Sequence, residues 1–595
     1  MSKDFFFLVM AMLATAGLSG QSQPLTLNGQ KPNVVLIVTD DMGYETIGYN
    51  KVVNFRTPNI DTLAGESIVF PNCDAQPLCV PSRVQLITGQ YNYRNYINWG
   101  SFNLEMPALG SMMRDAGYAT GAFGKWHLSR SPEELGFDDY SLFDGSPGNL
   151  SYAEFFKRYY YNSPLKEKSG DYIAAYAPDR FNQQLLRFID DNKTKPFFIY
   201  YPMSLAHNPF EPTPDSKDPA CRDWQRNFED MVAYADKLIG RVIAKLKQTG
   251  LYDNTVIIYT GDNGTKTLAH IMSDGTTIYG GKGIHTNDGC HVPLFVKYDG
   301  KSRLSEELVD FTDFYPTLAE IAGYDLNPLA EKVDGASLMP VLQNGPGREK
   351  PYIFSTYFEP LSCYIRNAQY KLYYDGRLFN IRNDPRELKP YYVQNDRPQT
   401  AAARMLLKSA LEDLLDETAL SEYPAKQRLQ KTFGPPAELK RKLMLGGFIF
   451  DSLQYTPRQG KIRLDITDFL SSDAVDYNLG VARMYRSGNS GLIYANAVVK
   501  DVKILHDGKV GKRIDSGGLV LSTERDYKKL KETGNPLISF VYKGDDAVIG
   551  LGTLSIRAAE KVEIEVDLEV FNPDNQWGDR LMLYFFLEGV DHESG

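Results

Sequence analysis

Asn33-Val34-Val35-Leu36-Ile37-Val38-Thr39-Asp40-Asp41 is a nearly unbroken apolar stretch that closes on two carboxylates. A half-exposed strand alternates polar and apolar residues. This stretch does not, so it predicts a parallel strand buried on both faces, with Asp40 and Asp41 set down at its C-terminal end. Runs of the same kind occupy residues 197–201, 255–260 and 293–296, and the first two lead to His207 and to Asp262 and Asn263. Helical patterns fill residues 223–248 and 310–323. Strands alternating with helices predict an α/β domain. Ligands in open α/β sheets collect beyond the carboxyl ends of the strands, which makes these polar residues one candidate site.

The pattern weakens after about residue 351. Residues 371–374 and 377–384 read as short strands with a turn, and 401–415 as a helix, together a smaller α+β unit. Phe433-Gly434-Pro435-Pro436 marks a boundary. Beyond residue 442, alternating segments such as 461–466 and 561–570, separated by Gly, Asn and Asp turns, predict an appended β-sandwich. The expected organisation is therefore a leader at 1–20, an α/β domain at 30–350, a smaller α+β unit at 351–432 and a β-rich unit at 440–595.

A chain of 595 residues has room for those units. Its formal charge of −10 and lack of a long basic run exclude a nucleic-acid partner, since phosphate binding needs clustered Lys and Arg. At the start, Lys3 precedes an apolar core from Phe5 to Leu18 and the small residues Ser19 and Gly20, the pattern of a secretory leader. The core is short for a membrane span, and no later segment is long and apolar enough for one. The expectation is an exported protein, periplasmic or extracellular. Its five cysteines give no recognisable disulfide framework, and no pairing is assigned.

Cys79-Val80-Pro81-Ser82-Arg83-Val84-Gln85-Leu86-Ile87-Thr88-Gly89 carries the chemistry. A lone cysteine reads as a buried thiol or half a disulfide, but here Pro, Ser, Arg, Leu, Thr and Gly follow in fixed register. The string resembles the C-x-P-S-R-x-x-L-x-T-G signature of the formylglycine-dependent sulfatases, members of the alkaline-phosphatase-like superfamily. In that family a maturation enzyme oxidises the cysteine to an aldehyde. The resemblance implies that Cys79 becomes the nucleophile. One hydroxyl of the hydrated aldehyde attacks the sulfate ester and the alcohol leaves; deprotonation of the other hydroxyl breaks the carbon–oxygen bond, releasing sulfate and restoring the aldehyde.

Asp40, Asp41, Asp262 and Asn263 offer only hard oxygen donors, suited to calcium or magnesium and not to zinc. An isolated Asp-Asp pair reads more readily as a helix start or a solvated turn. The segments Val-Thr-Asp-Asp-Met-Gly-Tyr and Thr-Gly-Asp-Asn-Gly, however, resemble the family's two metal-ligand segments, which implies calcium, with Cys79 completing the set. Gly124-Lys125-Trp126-His127 resembles the segment whose lysine and histidine face the site, and Gly-Gly-Lys282-Gly its sulfate-binding lysine. Arg83 is then expected to hold the hydrated aldehyde. His207, in Ala-His-Asn-Pro, resembles the His-x-Pro histidine that protonates the leaving oxygen as an imidazolium, and His127 becomes the base for the remaining hydroxyl.

One departure falls in Asp288-Gly289-Cys290-His291-Val292-Pro293, where His291 replaces a frequent arginine of the family. With His285 nearby, either histidine is a candidate for substrate contact or for a structural role. The resemblance covers roughly residues 33–383 and implies a sulfatase fold and a sulfate ester substrate, with a sulfated carbohydrate favoured. An arylsulfatase, a phosphonate or phosphodiester hydrolase, and a non-catalytic glycan-binding protein with Cys79 unconverted are the alternatives.

Overall fold

The computed structural model describes residues 25–414, apart from 144–150, 153–159, 163–175, 357–362 and scattered short gaps, together with the strands beyond residue 442. The leader at 1–20 and the boundary at 433–436 lie outside the described residues.

A nine-stranded sheet organises the larger unit. Its strands are β1 (Asn33–Thr39), β2 (Ile68–Val69), β3 (Ala119–Lys125), β4 (Asp139–Phe143), β5 (Tyr160–Asn162), β6 (Phe197–Pro202), β7 (Thr255–Gly261), β8 (Leu294–Lys297) and β9 (Arg303–Leu304). They lie in the order β9-β2-β8-β7-β1-β6-β3-β4-β5. Every residue of β1 is buried, as its unbroken apolar sequence requires. Its side chains divide between two cores: Val34, Leu36 and Val38 enter one, Val35 and Ile37 the other. The first core takes residues from α1 (Cys79–Thr88) and α4 (Phe314–Ala322); the second takes residues from α2 (Ala177–Asn192) and α3 (Trp224–Gln248). Helices thus cover both faces of the sheet, in keeping with the α/β domain read from the sequence.

Register decides where the polar residues land. β1 pairs in parallel with β7 from Asn33↔Thr255 to Thr39↔Gly261, and with β6 from Val34↔Phe198 to Val38↔Pro202. The ladder continues past the strand ends, Asp262 N donating to Thr39 O at 2.9 Å, Asp40 N to Leu205 O at 2.9 Å and Ala206 N to Asp40 O at 2.7 Å. Three chain segments are therefore fixed side by side at the carboxyl edge. Gly261 is required there, because a Cβ would sit 1.9 Å from Met42 O.

One strand runs against expectation. β8, read as another parallel strand, pairs antiparallel with β7. The chain between them contains no long crossover helix, only a short hairpin and the four-residue helix Asn287–Cys290, so it turns back at the carboxyl edge and descends.

The smaller unit is a four-stranded antiparallel sheet of β10 (Ile353–Ser355), β11 (Tyr364–Arg366), β12 (Tyr370–Tyr373) and β13 (Leu378–Asn380), paired in sequence order and packed by α5 (Pro398–Leu414). Beyond it, strands Leu443–Ser452, Asp579–Gly589, Asp476–Arg483 and Val548–Ser555 form one antiparallel sheet. A second, six-stranded sheet is built around Arg458–Asp465, Val562–Phe571 and Asn496–His506.

Candidate active site

Cys79 is the first residue of α1, a helix whose ten residues are all buried. Its Sγ lies 3.5 Å from His127 Nδ1 and 3.8 Å from Lys125 Nζ. Cys79, Asp40 and Asp262 place candidate ligand atoms within 4.8 Å of one another, as do Asp40, Asp41 and His207. The residues singled out in the sequence thus converge at the carboxyl edge, from β1, β3, β7, α1 and three loops.

Each cation is pinned to an anion. Lys125, the last residue of β3, donates to Asp40 Oδ2 at 2.6 Å, and Lys282 Nζ lies 2.5 Å from Asp41 Oδ1. Arg83 donates to Asp262 Oδ2 at 2.8 Å and to Lys125 O at 2.7 Å. Two of its arms are therefore committed to the scaffold, so its direct role toward residue 79 is narrower than the sequence alone implies. Burial opposes the charge on Lys282, yet Asp41, Cys79 and Asp40 together hold the ammonium above the ordinary lysine range. Arg83 is likewise held above the ordinary arginine range, the acids around it outweighing burial.

The oxygens left over point to a cation. Asp40 Oδ1, Asp41 Oδ2 and Asn263 Oδ1 are buried without a hydrogen-bond partner. Asp41 Oδ1 accepts from Asn263 Nδ2 at 2.8 Å, and Asp41 N donates to Asp262 Oδ1 at 3.1 Å, which locks the cluster's geometry. Burying unpartnered oxygens is costly. A hard divalent ion satisfies them, and the donor set of carboxylates and one amide fits calcium or magnesium. Asp41 and His127 both adopt left-handed backbone, with φ of 58° and 57°, a conformation uncommon for non-glycine residues.

The histidines divide. Burial, reinforced by Lys125, Arg83 and Lys282, holds His127 well below the ordinary histidine range. His207 is depressed for the same first reason, with Lys125, Lys282 and Lys266 adding to it. Burial and these lysines oppose the charge of the imidazolium expected at His207. Its Nδ1 contacts Asn208 O at 2.6 Å, and its Nε2 stands 3.9 Å from Asp41 Oδ2. His291 is structural, its Nε2 against Pro71 O at 2.7 Å and its ring stacked on Tyr44 at 4.1 Å. His285 is buried, edge-on to Tyr364.

Sequence reasoning missed Tyr152, whose hydroxyl lies 2.7 Å from both Ser204 O and His207 O, its one proton shared between them, and so fixes the His207 loop from a distant segment. No spacing signal announces it. Lys266 was missed too. It stands four residues past Asp262, and its position in a site-bearing loop was the available hint. The cysteines are all free, and among the described residues no helix is long and apolar enough to cross a membrane.

The sheet, its two helical layers and a nucleophile position ringed by acids and cations at the carboxyl edge define an alkaline-phosphatase-like hydrolase. The family model "Sulfatase" matches residues 32–324. N-acetylgalactosamine-6-sulfatase of Mus musculus is 27% identical over 390 residues, covering 58% of this chain and 72% of that protein. A sulfatase of Formosa agariphila is 26% identical over 520 residues, covering 69% and 93%. Among solved structures, Ps i-CgsB in complex with k-i-k-neocarrahexaose superposes with a TM-score of 0.55 at 25% identity, over 69% of this chain and 99% of that one. The chain belongs to the sulfatase family and is a sulfuric ester hydrolase.

Proposed function

We propose that this enzyme removes sulfate from a sulfated carbohydrate outside the cytoplasm, using Cys79 converted to formylglycine and a calcium ion held by Asp40, Asp41, Asp262 and Asn263. The placement of Cys79 Sγ between His127 and Lys125, beside Asp40 and Asp262, carries the proposal. Burial pushes the Cys79 thiol up, and Lys125 and Lys282 only partly offset that. An unconverted side chain would therefore stay protonated and be a poor nucleophile, which favours the converted one.

When present, the hydrated aldehyde supplies two hydroxyls on one carbon, and the calcium supplies positive charge facing the sulfate oxygens. The chain's own groups do the rest. Lys125, ion-paired with Asp40, and Lys282, ion-paired with Asp41, fix sulfate oxygens at two points. Neutral His127, within reach of residue 79, accepts a proton from a hydroxyl there. His207 delivers a proton to the departing alcohol. Burial, with Lys125, Lys282 and Lys266, opposes the ring's charge, and the bound sulfate's negative charge offsets the lysines' share of that.

The carbohydrate assignment is supported by the relatives, one an N-acetylgalactosamine-6-sulfatase and one solved with a neocarrahexaose. Desulfation of defined sulfated oligosaccharides, run beside aryl sulfate, phosphodiester and phosphonate substrates, tests it. Release of sulfate from an oligosaccharide is expected; turnover confined to the phosphorus esters would refute it.

A further inference from the structure

Lys282 is carried by the loop 280–291, which is tied by backbone hydrogen bonds to the segments that bear Asp41, Cys79 and Asp262. Lys282 N donates to Thr265 O at 2.8 Å, Gly283 N to Pro77 O at 2.7 Å, Gly264 N to Gly289 O at 2.9 Å and Tyr44 N to His291 O at 3.1 Å. The loop is glycine-rich and tightly folded, a Cβ on Gly289 meeting Ile284 O at 1.9 Å. Its four glycines leave the backbone many available paths, so its precise position depends on outside contacts.

Those contacts come from the smaller sheet. Lys371, on β12 and fully buried, donates to His285 O at 2.6 Å and to Glu387 Oε1 at 2.8 Å. Tyr373 Oη lies 2.8 Å from His285 O and against the Glu387 carboxylate, its single proton shared between the two acceptors, and Glu387 Oε1 accepts from Asn287 N at 2.8 Å. Two donors thus hold one carbonyl of the Lys282 loop, and the acid that orients them also grips an amide of the same loop. A fully buried ion pair is poor value as a source of stability alone; fixing a loop at a defined point is a use that suits it.

We propose that Lys371, Tyr373 and Glu387 are positioning residues for Lys282, so that the smaller sheet sets the affinity of the site for sulfate. Holding a sulfate between Lys282 and Lys125 depends on where the Lys282 ammonium sits, so a displaced loop weakens that charged contact. The inference rests on the sulfatase reading above.

The test uses the full-length, metal-loaded enzyme with inorganic sulfate as competitive inhibitor and an aryl sulfate as substrate. Tyr373→Phe removes one hydroxyl, and Lys371→Met/Glu387→Gln removes both charges together, leaving no unpaired ion. In folded variants Ki for sulfate and KM are expected to rise by about 5- to 50-fold, the range of a coupling lost within one network, with a smaller change in kcat. Adding Lys282→Ala to Tyr373→Phe should weaken sulfate binding little beyond Lys282→Ala alone. Unchanged Ki, losses that add in full to Lys282→Ala, or collapse of the fold in Tyr373→Phe would each overturn the inference. Wild-type enzyme inert toward every sulfate ester would instead sink the reading on which it rests.

Discussion

Arg366→Met should destabilise the protein at neutral pH and do so less as the solution is acidified. Asp74, on the short strand Cys73–Asp74 that leads into the Cys79 segment, receives Arg366 Nε on Oδ2 at 2.6 Å and Arg366 Nη2 on Oδ1 at 2.6 Å, with Tyr364 donating to Oδ2 at 2.7 Å. Burial works against the Asp74 carboxylate, yet Arg366 lowers its pKa from 3.8 to about 2. A shift of that size corresponds to about 2 kcal/mol of stability. Because the folded-state value is the depressed one, the contribution is complete above pH 4 and disappears as pH falls through about 2. Removing the guanidinium does more than cancel it. The carboxylate is left buried without its counterion, at a cost of about 3–5 kcal/mol. Stranded in this way, Asp74 becomes harder to ionise, so protonation relieves part of the penalty as pH drops towards the carboxylate range. Urea unfolding followed by tryptophan fluorescence at pH 7 and pH 5 measures both effects. A variant as stable as wild type at pH 7, or one whose deficit is the same at both pH values, would refute the reasoning.

Further outcomes follow from the site. His207→Ala should slow alkyl and sugar sulfates by about 100-fold or more while sparing an aryl sulfate with a good leaving group, since only the former need a proton to depart; steady-state kinetics on both substrates checks this. Chelation should silence the enzyme and calcium restore it, as read by sulfate release, whereas recovery with zinc alone would contradict the all-oxygen donor set. The acid limb of the kcat/KM profile should lie below the ordinary histidine value of 6.5, because burial and three cations favour the neutral His127 that must accept a proton; activity is then lost as pH falls through that lowered value, and a limb above 6.5 would remove His127 from the role.

The layout of the site was legible because it depends on short-range signals. An apolar run ending in Asp40-Asp41 and another ending before Asp262-Asn263 become parallel neighbours, and parallel register alone brings their ends together. The Cys79 string and the Lys125 and Lys282 segments were read from motif, and the fold gathers them around one sulfur. Less was legible where the outcome depends on contacts between distant segments. The direction of β8 followed from the absence of a crossover helix, which its own composition does not encode. The resistance of His207 to protonation is set by burial and by lysines at positions 125, 282 and 266, a sum no local pattern reveals. The same holds for Tyr152 beneath the His207 loop, and for the β11 and β12 residues that reach Asp74 and the Lys282 loop. Their hydrogen bonds span long stretches of sequence, so a reading by segments assigns them only to a subdomain.

The most direct measurement is the mass of the proteolytic peptide containing residue 79, taken from enzyme that is turning over a sulfate ester. The account predicts a peptide that has lost one sulfur and two hydrogens and gained one oxygen, the change from cysteine to formylglycine, in proportion to specific activity. An intact cysteine at position 79 in a fully active preparation would contradict it.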